Sequence, residues 1–242
     1  MTIHYSMKVP AALSADRETR SKQSIEMPIQ SRISLLPGVE RIDIRTTVEN
    51  HARDHRLCVH FPAPFGVAKA HHDGHFEVVQ RPVAVPEKGE DWMEAPRPEV
   101  PQRAFTDISN GDVGLMIANR GLPEVAILDR GDGKGSEIAL TLLRCVGWLS
   151  RGDLPVRQGH AGPALETPGA QMPGKWTFEY AILPHHGNWR IACHEAYAYQ
   201  TPLRAIETGL HRGKLPVQGA FLTHSPQDFV ISAVKPAEQG EG

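Results

Sequence analysis

The chain has 242 residues, 40% of them hydrophobic, and a formal net charge of −2 from 26 Lys and Arg against 28 Asp and Glu. That length and apolar content suit one large domain or two small ones, and the near-balance of charge excludes the basic surface that nucleic-acid binding requires. No apolar run reaches the roughly eighteen residues of a membrane-spanning helix, and the opening MTIHYSMKVPAALSADRETRSK lacks the apolar centre of a secretory signal.

Three cysteines, Cys58, Cys145 and Cys193, have neither the even count nor the tight spacing of a disulfide framework. A reducing, cytoplasmic setting is therefore expected. Cys58 and Cys145 lie in strand-like runs and read as small core residues. Gly and Pro are abundant, 22 and 20 residues, and they bound short alternating runs, which is the pattern of a sheet protein.

In chain order, residues 1–30 are polar and weakly periodic, a loosely structured segment with room for an edge strand over Tyr5 to Val9; residues 31–242 are expected to form the main domain. Pro37-Gly38 marks a turn. From Arg41 to Glu49 the side chains alternate, with Ile42, Ile44, Thr46 and Val48 on one face and charged residues on the other, the period of a strand. That charged face reads as solvated, as packed on a further domain, or as touching sugar. Leu57, Val59 and Phe61 make the next strand. His71, His72, Asp73 and His75 are the densest histidine group. A metal site needs three or four ligands on one point, and here the local sequence predicts an exposed loop instead. Residues 82–103 read as a surface loop anchored by Trp92, whose indole could also stack on a sugar.

Gly114 to Ala118, Glu124 to Leu128 and the run from Ile138 are expected as a three-stranded meander. Within the link between the last two, GDGKG lacks the spacing of a phosphate loop. The run Ile138 to Leu143 ends at Arg144 and opens about thirty irregular residues, a length at which loops are commonly functional. Trp176, Phe178, Tyr180 and Ile182 then alternate as a second clear strand. Residues 189–210 allow a short helix, with 203–210 ambiguous, and 229–234 make a last strand.

The segments LTLLRCVGWLSRGDLPVR, HAGPALETPGAQMPG and WTFEYAILPH, with SRISLLPGVERIDIRTTVENHARDHRLCVHFPAPF and GLMIANRGLPEVAIL upstream and FVISAVKPAEQGEG downstream, resemble the C-terminal β-domain of bacterial α-mannosidases of glycoside hydrolase family 38. The resemblance covers nearly the whole chain. It implies an all-β fold, a large antiparallel β-sandwich of the mutarotase-like supersandwich type with little helix. It further implies that the chain is cut at both ends and lacks final strands. In the family, an Asp nucleophile and a zinc ion sit in an N-terminal region that precedes this domain, so the resemblance implies no catalytic residue, no metal ligand and no cofactor in this chain. The implied partners are that catalytic domain, or a subunit carrying it, and through it a mannose-containing glycan.

An arginine of this domain reaches the sugar in some relatives, which makes Arg144, Arg151 and Arg157 substrate-facing candidates, with Asp153 as their partner or as an acceptor for a sugar hydroxyl. Arg suits the role because its planar fork donates several hydrogen bonds at once. A loop braced by internal salt bridges is the competing reading of the same residues. For the chain as a whole, the alternatives to a mannosidase scaffold are a free-standing carbohydrate-binding sandwich and an inactive gene fragment.

Overall fold

The structure, a computed structural model, describes residues 1–131, 133–210, 212–225, 231 and 233–239, with Gln158 described by its backbone alone. It divides into two units, Met1–Pro202 and Leu203–Gly242. The described residues of the second unit carry no helix or strand. Of the strand expected over 229–234, residues 229, 230 and 232 lie outside the described residues and 231, 233 and 234 carry no strand, and 203–210 is not helical.

The first unit is an antiparallel β-sandwich. Its strands are β1 (Thr2–Pro10), β2 (Ser24–Leu35), β3 (Ile42–Asn50), β4 (Arg56–Pro62), β5 (Lys69–Asp73), β6 (Val78–Pro82), β7 (Glu99–Pro101), β8 (Phe105–Ser109), β9 (Val113–Asn119), β10 (Glu124–Asp129), β11 (Ser136–Arg144), β12 (Asp153–Leu154), β13 (Arg157–Gln158) and β14 (Gly174–His186), followed by helix α1 (Trp189–Gln200). One sheet has the order β1-β2-β3-β14-β9-β8-β5-β6 and the facing sheet β4-β11-β10-β7; β12 and β13 form a small separate hairpin. Residues 1–30 thus hold the edge strand β1 and part of β2, which runs on past residue 31 without a break.

The core follows from side-chain alternation. Met27 and Ile29 of β2, Ile44 and Val48 of β3, and Phe178 and Tyr180 of β14 face Leu57, Phe61, Val125, Ile138 and Leu140 of the second sheet. A polar thread runs through this layer: Ser31 Oγ lies 2.9 Å from Thr46 Oγ1, which lies 2.7 Å from the Tyr180 hydroxyl. The opposite face of β8, β9 and β14 carries Phe105, Met116, Ala118, Ala181 and Leu183, and α1 covers it with Ala192, Cys193, Ala196 and Tyr199. The small residues at 192, 193 and 196 let the helix sit close to the sheet. Its N-terminus is capped by Asn188, which accepts from the Arg190 amide at 3.0 Å. At the other end, Arg120 donates from Nε and Nη2 to the Tyr199 carbonyl, a cation on the last turn.

Two sequence expectations change here. The residues from Gly114 to Leu128 are not part of one meander. β9 belongs to the first sheet and β10 to the second, so Asn119-Arg120-Gly121-Leu122-Pro123 crosses between sheets. Buried Asn119 makes that crossing: its side chain donates to the carbonyls of Arg103 and Ala104 and accepts from the Leu122 amide at 2.8 Å. Nor is the histidine group an exposed loop, except at His75, which is exposed in the turn after β5. His71, His72 and Asp73 lie in β5, with His72 and Asp73 each 2% exposed. Their polarity is absorbed by neighbours. Asp73 accepts from the Ala104 amide, from Arg103 Nε and from the Tyr197 hydroxyl, while His72 Nδ1 pairs with Thr106 Oγ1 at 2.9 Å.

At one end of the sandwich, buried Asn50 (0% exposed) pins the long loop to the core. Its Nδ2 donates to the carbonyls of Gln171 and Met172, and its Oδ1 accepts from the Ala52 amide. Gln171 adds a reciprocal pair with Asp54: its Nε2 donates to Asp54 Oδ1 at 2.6 Å, and its Oε1 accepts from the Asp54 amide at 2.8 Å. Asp54 holds a left-handed φ of 54°, which these bonds fix.

Two measurements check this picture. Removing a buried amide that satisfies three backbone groups leaves them unpaired, so Asn50→Ala should lower stability by about 2–3 kcal/mol in urea unfolding, whereas Arg144→Ala, at an exposed strand end, should stay within about 0.5 kcal/mol. Equal losses would contradict the clasp. The second concerns His72, whose burial pushes its pKa down from 6.5 to about 4. The unfolded chain takes the proton first, so its stability contribution is complete above pH 6.5 and is lost as pH falls toward 4. Across that window the wild type should lose roughly 3 kcal/mol more than His72→Gln. Burial also lowers His71 and His55, which adds to the slope, while His185 is raised and opposes it. A variant with the same pH profile as the wild type would contradict the assignment.

Candidate functional site

The loop after β11 returns to β14 through three devices: the β12–β13 hairpin, a lone bridge between Trp148 and Glu166, and a 3-10 turn at Pro168–Gln171. Buried Ser150 holds its middle together, accepting from the amides of Ala161 and Gly162 at 3.0 and 3.1 Å. With the β1–β2 connection, the 50–55 turn and the segment around Glu94, it forms a platform of loops at one end of the sandwich.

The sequence candidates fall in different places on this platform. Arg151 and Asp153 form a two-pronged ion pair, Nε to Oδ1 and Nη2 to Oδ2, each 2.8 Å. The Arg151 hydrogen bond is the main reason the Asp153 pKa falls to about 2. Arg17, in the β1–β2 connection, approaches the same carboxylate at 3.6 Å and lies 5.5 Å from the centre of the Trp148 ring. Arg157, on β13, pairs with Glu94 Oε2 at 3.3 Å, and its Nε is buried without a hydrogen-bond partner. Arg144 stands apart, exposed at the end of β11 opposite Arg56. Arg151, Asp153 and Arg17 are therefore one cluster, Arg157 and Glu94 a second, and Arg144 belongs to neither.

Sequence reading missed Arg17 and Arg20, because the charged stretch 14–24 reads as loose chain. Arg20 in fact ties that stretch down, donating to the carbonyls of Asp54, Pro10 and Arg53. Their only signal is positional: two arginines among polar residues between two strands.

The zinc that the resemblance implies for full-length enzymes finds no suitable donor set among the described residues. In HARDH, the Asp54 carboxylate is occupied by Gln171 and the Leu13 amide, and His55 Nε2 faces Cys145 Sγ at 3.9 Å. Beneath α1, buried Asp107 has His185 Nε2 at 2.6 Å and His71 Nδ1 at 3.9 Å. His185 Nδ1 also faces the His186 carbonyl at 3.2 Å, so both of its ring nitrogens meet acceptors and the imidazolium is favoured. Among the described residues no group of three or more His, Cys, Asp or Glu is arranged to hold a metal ion.

What this arrangement can do is limited in a definite way. Asp153 and Glu94 are each neutralised by an arginine. Hydrolysis with retention needs two carboxylates about 5–5.5 Å apart and free to act as nucleophile and acid. The platform offers instead guanidinium groups and a half-buried indole at its surface.

Comparison with known proteins fits this geometry. The chain is 30% identical over 225 residues to a protein of Halalkalibacterium halodurans named "Putative mannosylglycerate hydrolase", covering 92% of this chain and 23% of that one. It is 27% identical over 215 residues to the mouse protein "Alpha-mannosidase 2C1", covering 87% and 18%. Two crystal structures from Enterococcus faecalis, one titled as a protein in glycosyl hydrolase family 38 and the other as an α-mannosidase, superpose with TM-scores of 0.72 and 0.74 at 28% identity. Each comparison covers 88% of this chain and 24% of the other. The chain thus spans about a fifth to a quarter of the relatives it matches. Residues 3–151 match the family described as "Glycosyl hydrolases family 38 C-terminal domain", and the chain, a β-sandwich with these neighbours, belongs to that family.

Proposed function

We propose that this chain serves hydrolysis of α-mannosidic bonds as the accessory sandwich of a family 38 enzyme, supplying scaffold and one wall of the sugar pocket rather than the reacting acids. The observation that carries this reading is the coverage: nearly all of this chain matches relatives of which it spans only about a quarter or less. The names of those relatives support an α-mannoside, and that of the putative mannosylglycerate hydrolase of Halalkalibacterium supports a mannosylated small acid as one form of it. In this reading the nucleophile and the zinc belong to the remainder of the enzyme. Arg151, with Asp153 fixing its fork, faces the pocket, Arg157 braces the hairpin, and Arg144 is the weakest of the four candidates. A cytoplasmic setting accords with three unpaired cysteines. No described helix is long and apolar enough to cross a membrane.

A second reading, sugar binding without hydrolysis, is favoured by one observation: Trp92 is 48% exposed. The other indoles suit it less. Trp148 lies beneath the Arg17 guanidinium, Trp189 packs near Phe105 and His71, and Trp176, 37% exposed, has its indole N–H tied to the Met172 carbonyl.

The experiment is an assay of the purified chain on an aryl α-mannoside with added zinc. No release above a protein-free control is expected. Turnover that a chelator abolishes would overturn the accessory reading, and saturable quenching of tryptophan fluorescence by mannose, without turnover, would favour the second.

A further inference from the structure

The sandwich opens along the edge formed by β5 and β6 of one sheet and β7 and β10 of the other. A cavity of about 170 Å³ lies in that seam, with apolar walls from Val83, Val100 and Ile127, and with His72, Arg81 and Arg97 as its polar groups. It is unrelated to the loop platform and to the mannosidase reading.

Two groups there lack the partners that folding normally provides. The first is Arg81. It lies opposite Ala70 in the β5–β6 ladder, on the same face as His72, and its Nε is buried with no hydrogen-bond partner. Among the described residues it forms no ion pair, and Arg97, the second cation, reaches only Glu99, at 3.7 Å. A partly buried guanidinium without a counter-charge costs stability, because its desolvation is not repaid.

The second is His72. Its tautomer follows from a chain of hydrogen bonds. Gln102 Nε2 donates to the Leu122 carbonyl, which orients the amide, and Gln102 Oε1 therefore accepts the Thr106 hydroxyl proton at 2.6 Å. Thr106 Oγ1 is then left to accept, so His72 Nδ1 carries the proton. Burial and the nearby Arg81 charge keep the ring neutral at pH 7. His72 Nε2 is thus an acceptor with no donor among the described residues, on a side chain 2% exposed that lines the cavity.

An unpaired cation calls for an anion, and an unpaired acceptor calls for an O–H or N–H donor. Sulfate meets the first demand and not the second, and phosphate, which keeps a P–OH at neutral pH, has no carbon frame for the apolar walls. The cavity is also smaller than the roughly 300–1,000 Å³ of drug-sized pockets, which suits a ligand of few heavy atoms. We propose that this cavity binds a small α-hydroxy carboxylate, its carboxylate on the forks of Arg81 and Arg97, its hydroxyl donating to His72 Nε2, and its carbon frame against the valine and isoleucine walls.

The test is an NMR titration of the ¹⁵N-labelled chain at neutral pH with lactate, propionate and inorganic phosphate, following the His72 ring nitrogens and the amides of β5 and β6. In the free protein Nδ1 should show the protonated shift and Nε2 the unprotonated one. Lactate should move Nε2 saturably. Propionate, which lacks only the hydroxyl, should bind at least about tenfold more weakly, because it makes no hydrogen bond to His72 Nε2. Arg81→Leu, with its amide spectrum unchanged away from the seam, should lose the saturable lactate response. Absence of a saturable lactate shift, equal affinity for lactate and propionate, tighter binding of phosphate than of lactate, or undiminished lactate binding by Arg81→Leu would each overturn the proposal.

Discussion

Everything in the first unit hangs on β14. It is the strand that comes last in the sheet and lies at its centre, with β3 paired on one side over nine residues from Gly174 to Ile182 and β9 on the other over seven from Tyr180 to His186. Without it, β1-β2-β3 and β9-β8-β5-β6 are two separate ribbons, each with a bare edge. Its two faces differ. Phe178 and Tyr180 enter the layer between the sheets, while Ala181 and Leu183 enter the layer beneath α1. One strand therefore joins two half-sheets laterally and two apolar layers vertically, and closing it requires contacts between residues more than a hundred positions apart.

The same strand sets the loop platform. The thirty residues before it must travel from the end of β11, in the second sheet, to the start of β14, in the first. Asn50, at the end of β3 and opposite Gly174, holds the last part of that path. The loop platform at this end is thus a consequence of topology: a long sheet-to-sheet return leaves irregular backbone whose polar groups must be satisfied one by one. The bonds from Asn50 to the Gln171 and Met172 carbonyls and from the Ala161 and Gly162 amides to Ser150 are part of that satisfaction.

Much of the fold was legible where alternation was strict. Ile42 to Val48 and Trp176 to Ile182 read as strands because one face is apolar and the other polar, and α1 was visible as a short helical possibility after Trp189. Legibility failed where a buried position is polar. His72 and Asp73 look like loop residues until Thr106, Ala104 and Tyr197, contributed by other elements, satisfy them. The crossing at Asn119 to Pro123 looks like a hairpin turn, because a turn signal fixes a reversal of the chain and not which sheet receives the next strand. At the platform, the presence of arginines was readable and their pairing was not: Arg17 reaches Asp153 across 136 positions of sequence only because β1 and β2 bring their connection to that end. The seam cavity had no sequence signal at all, since an unpaired Arg81 is recognisable only once its surroundings are known.

Hydrogen exchange resolved by peptide tests the central role of β14 most directly. If this strand closes the sheet, amides of 174–186 should be among the slowest to exchange, together with those of β3 and β9, and all three should open in one cooperative step, well behind the edge strands β1 and β6. Exchange of β14 as fast as those edges, or protection of β3 and β9 that survives its opening, would contradict the account.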